Sequence, residues 1–139
     1  ALLLRGAGYQ GILLGCSQWD ASSLDLGAVK GAYYSTHFAP TDPNGLLQDW
    51  AKAYRAKFWR TPDAHAALAY DALNVLCNAI RSAGVSDTDK VRMALQVTRM
   101  LQGMTGQVTM DPTGGPSAKE VTIVQIVEGK RQWAGTVVP

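Results

Sequence analysis

Two periods of hydrophobic and polar positions run along this chain. Residues 11–16 (Gly-Ile-Leu-Leu-Gly-Cys) form a short unbroken apolar run, which predicts a buried parallel strand. Residues 29–36 are rich in β-branched and aromatic side chains and predict a second strand. Between them, Asp20 is placed to cap a short helix over residues 21–26, with Gly27 ending it. Residues 1–8 read as the tail of a helix that stops at Gly6 or Gly8. Helix and strand in alternation argue for an α/β layer.

The second half switches to the helical period. Residues 39–44, with Pro40, Asp42, Pro43 and Asn44, mark a boundary. Residues 46–58 predict an amphipathic helix with Leu46, Leu47, Trp50, Tyr54 and Phe58 on one side. A long helix follows: Thr61 can cap it, Pro62 suits its first position, Asp63 complements its positive end, and Gly84 stops it after Ser82. Its polar residues Asp71, Asn74, Asn78 and Arg81 share one stripe, and the rest of its surface is apolar. That pattern predicts a mostly buried helix, with His65 in the first turn away from the stripe. Ser86 and Asp89 resemble a capping box that opens a third helix to about residue 97. Residues 107–110 predict a strand, 111–116 a turn cluster, and 121–127 with 132–138 a hairpin around Glu128-Gly129-Lys130. There is no internal repeat and no low-complexity tract.

Composition narrows the class. At 139 residues, 47% hydrophobic and 17% charged, the chain has the size and content of one ordinary globular domain. The net charge of +2 is small, and nucleic-acid binding is not expected. Arg55, Lys57 and Arg60 crowd one region, but they sit at a predicted helix end, where dipole compensation and solubility account for them. No apolar run reaches membrane-spanning length, and residues 1–4 are interrupted by Arg5 and Gly6, so they read as neither a signal peptide nor an anchor. Cys16 and Cys77 read as buried free thiols, although a disulfide between them stays open. No nucleophile elbow, phosphate loop or dinucleotide fingerprint is present, and Gly6-Ala7-Gly8 precedes a strand rather than following one. No enzyme activity, cofactor or metal is expected. His65 and His37 lack a companion ligand at metal spacing.

Five segments in order carry a resemblance: residues 15–20 (Gly-Cys-Ser-Gln-Trp-Asp), 31–38 (Gly-Ala-Tyr-Tyr-Ser-Thr-His-Phe), 62–73 (Pro-Asp-Ala-His-Ala-Ala-Leu-Ala-Tyr-Asp-Ala-Leu), 103–111 and 121–127. Together they resemble the carboxyl-terminal part of type I periplasmic substrate-binding proteins (leucine/isoleucine/valine type) of bacterial ABC transporters. The resemblance implies two Rossmann-like lobes with parallel sheets, of which this chain looks like a C-terminal fragment. Residues 1–38 would be part of lobe 2, residues 39–120 part of lobe 1, and residues 121–139 a return to lobe 2. It also implies a periplasmic location, or an extracytoplasmic lipoprotein, for a protein that binds a small amino acid or related organic acid in an inter-lobe cleft. The partners implied are that ligand and an ABC permease in the membrane. Without the rest of the lobes, Trp50, Tyr54, Leu68, Leu76 and Ile80 would face water, so a complementing partner is expected. It would be the missing N-terminal portion or an element-exchanged homodimer. Two other classes stay open. A sensory ligand-binding domain of the same fold would be joined to a membrane span, and a small flavodoxin-like α/β enzyme would turn over substrate alone.

The candidate ligand-binding residues are Ser17, Gln18, Trp19, Tyr34 and His65. Ser17–Trp19 lie just past the carboxyl end of a predicted parallel strand, where open α/β sheets bind ligands. Trp19 can supply an apolar wall, and Ser17 or Gln18 can orient a polar group. The bland alternative is that residues 17–20 merely cap the next helix. In the resembled family an acidic residue often matches Ser17 and receives the ammonium of an amino acid. A neutral hydroxyl here leaves the ligand open between an α-amino acid and a carboxylate without the amine, an aromatic acid or an amide. His65 matches a position that often bears an aromatic side chain facing the ligand; its alternative is a histidine satisfied by packing. Tyr34 could line the cleft or simply fill the core.

Overall fold

Four strands form the first sheet, in the order Leu14–Gly15, Tyr33–Thr36, Val121–Val127, Lys130–Val137. The computed structural model describes residues 1–117 and 119–138; Ala118 and Pro139, which fall within the expected lobe segments, lie outside the described residues. The chain divides into two compact units: residues 1–64 with 121–137, and a second unit that begins at residue 65 and runs to residue 120.

The first unit opens with α1 (Leu2–Gly6) and a short β1 (Leu14–Gly15), which pairs in parallel with β2 (Tyr33–Thr36). Two corrections to the sequence reading arise here. The first strand is shorter than the expected 11–16: Arg5 takes the Gly11 carbonyl at 2.9 Å, and only Leu14 and Gly15 are in register with β2. It also lies at the sheet edge with Leu14 exposed, not buried. The second strand begins only at Tyr33. Val29 and Ala32 are fully buried, but in a turn closed by Ala32 N–H on the Val29 carbonyl at 3.0 Å. Their apolar character reflects the core and not a strand.

β2 pairs antiparallel with β6 (Val121–Val127), and β6 with β7 (Lys130–Val137). Thr122, Val124 and Ile126 alternate inward along β6. The hairpin turn is tighter than expected. Glu128 and Gly129 both adopt positive φ (48° and 72°), as a two-residue turn of the hairpin type requires, so β7 starts at Lys130. Val29, Ala32, Tyr34, Ala39, Val124 and Ile126 form the core, with Leu13, Trp19, Leu24, Leu26 and Trp133 packed on it.

α2 (Gly45–Phe58) starts where Asn44 accepts from the Leu46 and Leu47 N–H groups at 3.0 and 3.4 Å. Its expected apolar side forms an aromatic row: Phe38 to Trp50 at 5.8 Å between ring centroids, Trp50 to Tyr54 at 5.5 Å, and Tyr54 to Phe58 at 4.6 Å. Leu47 is buried, Trp50 and Tyr54 are half-buried, and Leu46 and Phe58 are exposed.

The second unit is built from α3 (Ala64–Ala83), α4 (Thr88–Gln96) and an antiparallel sheet of β3 (Leu101–Gly103), β4 (Gly106–Met110) and β5 (Pro116–Ser117). α4 is capped by Asp87, which accepts from Lys90 N–H at 3.0 Å, so the expected Ser86 box is displaced by one residue. α3 begins at Ala64, two residues beyond the expected Pro62. Its facing is the reverse of the expected one. Asp71, on the polar stripe, is buried at 4% exposure, whereas Tyr70, Leu73, Leu76 and Ile80 are exposed. Asp71 can be buried because three donors meet it: Met104 N–H at 2.6 Å, Thr105 N–H at 2.8 Å and the Thr105 hydroxyl at 2.6 Å. Gly103 makes room, since a Cβ there would stand 2.6 Å from the Asp71 carboxyl. Of the side chains expected to face water, Leu76 and Ile80 do, while Trp50, Tyr54 and Leu68 are half-buried.

Candidate functional site

After β1 the chain does not enter the expected helix. It makes a single 3-10 turn, Ser17–Asp20, with Trp19 N–H on the Cys16 carbonyl at 2.8 Å. Residues 21–28 continue as turns, and Asp25 accepts from Gly27 and Ala28 N–H at 2.9 and 3.2 Å. Asp20 does not cap a helix. Its carboxylate accepts from the Tyr34 hydroxyl at 2.8 Å and from the Thr36 hydroxyl, both on β2. With its oxygens committed to β2, it is not available to hold the N–H groups of a following helix.

A second anchor comes from far along the chain. Arg131 on β7 donates to the backbone carbonyls of Trp19 at 3.0 Å and Ala21 at 2.8 Å. The turn is thus held on both sides of Asp20. Ser17 and Gln18 are left exposed on it. Trp19 is half-buried, lies over Gly15 so closely that any side chain at that position would collide with its ring, and stands 6.4 Å from the Tyr34 ring. A wall of indole beside two exposed polar side chains can receive a flat or branched apolar group next to a hydrogen-bonding one.

Tyr34 is in the core, not at the surface, at 2% exposure. Burial pushes its phenol well above the ordinary range, the hydrogen bond to Asp20 and that carboxylate's charge add to this, and Arg131 opposes it. It stays a neutral donor that supports the turn from beneath. His65 is exposed on α3, at the start of the second unit. The structure therefore brings Ser17, Gln18, Trp19 and Tyr34 together within the first unit. Cys16 and Cys77 are both free and exposed, not buried as the sequence suggested. Among the described residues no group of three His, Cys, Asp or Glu could hold a metal ion.

Beneath the turn lies a cavity of about 150 Å³, lined by Asp20, Tyr34, Phe38, Thr41, Asp63 and Arg131, among others. Ordinary ligand pockets run from about 300 Å³ upward. At about 150 Å³ this one falls below that range. Arg131 Nε is buried and has no hydrogen-bond partner among the described residues.

The family described as periplasmic binding protein matches residues 3–131. The chain belongs to the periplasmic binding protein family. Among solved members of the fold, the leucine-binding protein LivK of Thermotoga maritima is 28% identical, with a TM-score of 0.82, over 99% of this chain and 40% of that one. The branched-chain amino acid transporter substrate-binding protein LivJ of Streptococcus pneumoniae, solved with isoleucine, is 25% identical, with a TM-score of 0.82 and the same coverage. A solute-binding protein of Rhodopseudomonas palustris BisB5, solved with 3,4-dihydroxybenzoic acid, shares the fold at 19% identity and a TM-score of 0.75, over 99% of this chain and 40% of that one. A comparison with curated proteins gives no match. This periplasmic binding protein chain spans about 40% of the length of these relatives. The family and the type I fold expected from the sequence are thereby established.

Sequence reasoning missed Arg131 and Thr36. Thr36 lies in the 31–38 segment that carries the resemblance but received no role from it; Arg131 lies in none of the five segments and is 112 positions from Trp19, whose carbonyl it holds. The available signal was a cation next to Lys130, just after the expected hairpin turn, which only the pairing of β6 with β7 turns toward the site.

Proposed function

We propose that this chain is part of the solute-binding component of an ABC importer. It holds a small amino acid or related organic acid, without transforming it, in the cleft that the family resemblance implies. Ser17 and Gln18 orient the ligand's polar end, Trp19 supplies the apolar wall, Tyr34 braces the turn, and His65 is contributed by the other lobe. Residues 1–38 and 121–139 belong to one lobe and 39–120 to the other. The protein works outside the cytoplasm, in the periplasm or as a lipoprotein, and delivers the ligand to a membrane permease. A missing N-terminal portion or an element-exchanged second copy completes the lobes and covers the exposed apolar residues of α3.

The observation that carries this reading is the turn itself. It presents Trp19, Ser17 and Gln18 together and is fixed by anchors from β2 and β7, in a chain whose family match spans residues 3–131. Relatives solved with isoleucine and with 3,4-dihydroxybenzoic acid define the ligand chemistries to try. The test is calorimetric titration of the lobe-complete protein with leucine, isoleucine, benzoate and 3,4-dihydroxybenzoate. One of them is expected to bind, and Trp19→Ala to weaken it about tenfold or more, the worth of part of a buried aromatic. Unchanged affinity in Trp19→Ala removes this turn from the site.

A further inference from the structure

α2 ends in a way its sequence does not favour. Trp59 occupies the C-cap with φ 57° and ψ 24°, the left-handed conformation that glycine adopts without strain. Its N–H still closes the helix on the Arg55 carbonyl at 2.9 Å. The indole packs on little: Trp59 is 91% exposed, and Phe58 beside it is 50% exposed. A large apolar ring held in water on a strained backbone gains nothing for this fold, and such outliers cluster at functional sites.

The charges on the last turns of α2 and just beyond it are of one sign. Residues 52–60 carry four cations, Lys52, Arg55, Lys57 and Arg60, and no acid, so this window is more positive than the whole chain at +2. Dipole compensation covers Arg55 and Lys57 in the last turn, but Arg60 lies beyond the helix. Lys57 lays its ammonium 5.6 Å from the Phe58 ring centre, and Arg60 donates to the Tyr54 hydroxyl at 3.2 Å. Rings and cations therefore form one patch, in which the Lys57 ammonium faces the Phe58 ring and the Arg60 guanidinium meets the Tyr54 hydroxyl.

We propose that this end of α2 docks on an anionic lipid surface, with Trp59 and Phe58 entering the interfacial layer and Arg55, Lys57 and Arg60 meeting headgroup phosphates. Charge complementarity selects an anionic partner. An indole beside cationic side chains suits a fluid anionic interface, which accepts the ring without shape matching. The contact is peripheral: among the described residues no helix is long and apolar enough to cross a membrane. The proposal is independent of the solute-binding reading, since it uses none of Ser17, Gln18, Trp19, Tyr34 or His65.

The test is co-sedimentation of the lobe-complete protein with vesicles of phosphatidylglycerol mixed with phosphatidylcholine, and with vesicles of phosphatidylcholine alone. Binding to the anionic vesicles is expected, weakening as salt rises. Trp59→Gly is expected to lower partitioning roughly tenfold while melting no lower than the wild type, because glycine relieves the left-handed strain. The triple change Arg55→Gln, Lys57→Gln, Arg60→Gln is expected to lower it roughly 100-fold on anionic vesicles. Leu73→Ser, on an exposed apolar position of the second unit, is expected to leave it unchanged. Equal binding to both vesicle types, absence of binding, or insensitivity to Trp59→Gly overturns the proposal and leaves an acidic protein face or further polypeptide as the occupant.

Discussion

Asparagine in place of Asp71 is nearly isosteric, yet it is expected to damage the second unit severely. The Asp71 carboxylate accepts two backbone N–H groups and one hydroxyl on the β3–β4 turn. After Asp71→Asn the new amide oxygen can keep one backbone donor. The NH₂ group must then face the other, donor to donor, and a backbone N–H cannot rotate away. The Thr105 hydroxyl can turn and accept, so it is not counted. One charge-assisted bond is lost, and the bond that remains is weakened to a neutral one. Charge-assisted bonds contribute about 1.5–3 kcal/mol each, and a buried donor left unpaired costs about 1–3 kcal/mol. These overlap, so the expected loss is about 3 kcal/mol, a large part of an ordinary domain's stability. Urea unfolding followed by circular dichroism reads the total. Amide exchange at Met104 and Thr105 reads the site itself and should accelerate by about two orders of magnitude, the same free energy expressed as an opening constant. A loss below about 1 kcal/mol, with exchange at those two amides unchanged, refutes the assignment of Asp71 as the tie between α3 and the turn.

The same change at Asp20 should be mild, because both partners there are hydroxyls that can reorient. Asp20→Asn is expected to cost about 1 kcal/mol in a thermal melt, while Asp20→Ala strands two buried hydroxyls and costs about 3 kcal/mol; equal costs would contradict the geometry. Gly15→Val should push the Trp19 ring off its seat, raising acrylamide quenching of tryptophan fluorescence; an unchanged quenching constant contradicts the contact. The Thr113 hydroxyl is the main cause holding the Asp111 carboxyl below its ordinary value of 3.8, with the Thr113, Gly114 and Gly115 N–H groups adding to it and desolvation opposing. A depressed carboxylate supports the loop above its unfolded pKa and loses that support as pH falls through its folded one. NMR titration should therefore place the Asp111 midpoint below 3.8, and Thr113→Ala should move it up; no movement contradicts the bond.

The elements most legible in the sequence were those fixed by local chemistry. Asn44 before a 3.6-residue pattern announced α2, and Glu128-Gly129 announced the hairpin, although the positive φ at both turn residues also lengthened β7 at the expense of the turn. What periodicity cannot say is which face of a helix is covered. The stripe through Asp71 looked like a solvent face, and became the buried one because a distant turn supplied three donors. Val29 and Ala32 were apolar for the core's sake and not for a strand's. At the candidate site, Ser17, Gln18 and Trp19 were proposed because they follow a strand end, and Tyr34 because the resemblance puts a crossover there. Arg131 was not, because a carbonyl clamp depends on tertiary position and leaves no local pattern. Asp20 was recognised as a residue with a local task, but its partners came from β2 and not from the next turn.

Native mass spectrometry of material purified without added ligand tests most directly whether this is the incomplete, solute-holding part of a binding protein. The expected spectrum shows the chain associated with a complementing polypeptide or a second copy, carrying the mass of one small organic acid that is lost from Trp19→Ala. A chain that flies alone and empty, and that in dilute solution is compact and melts in one cooperative step, contradicts it.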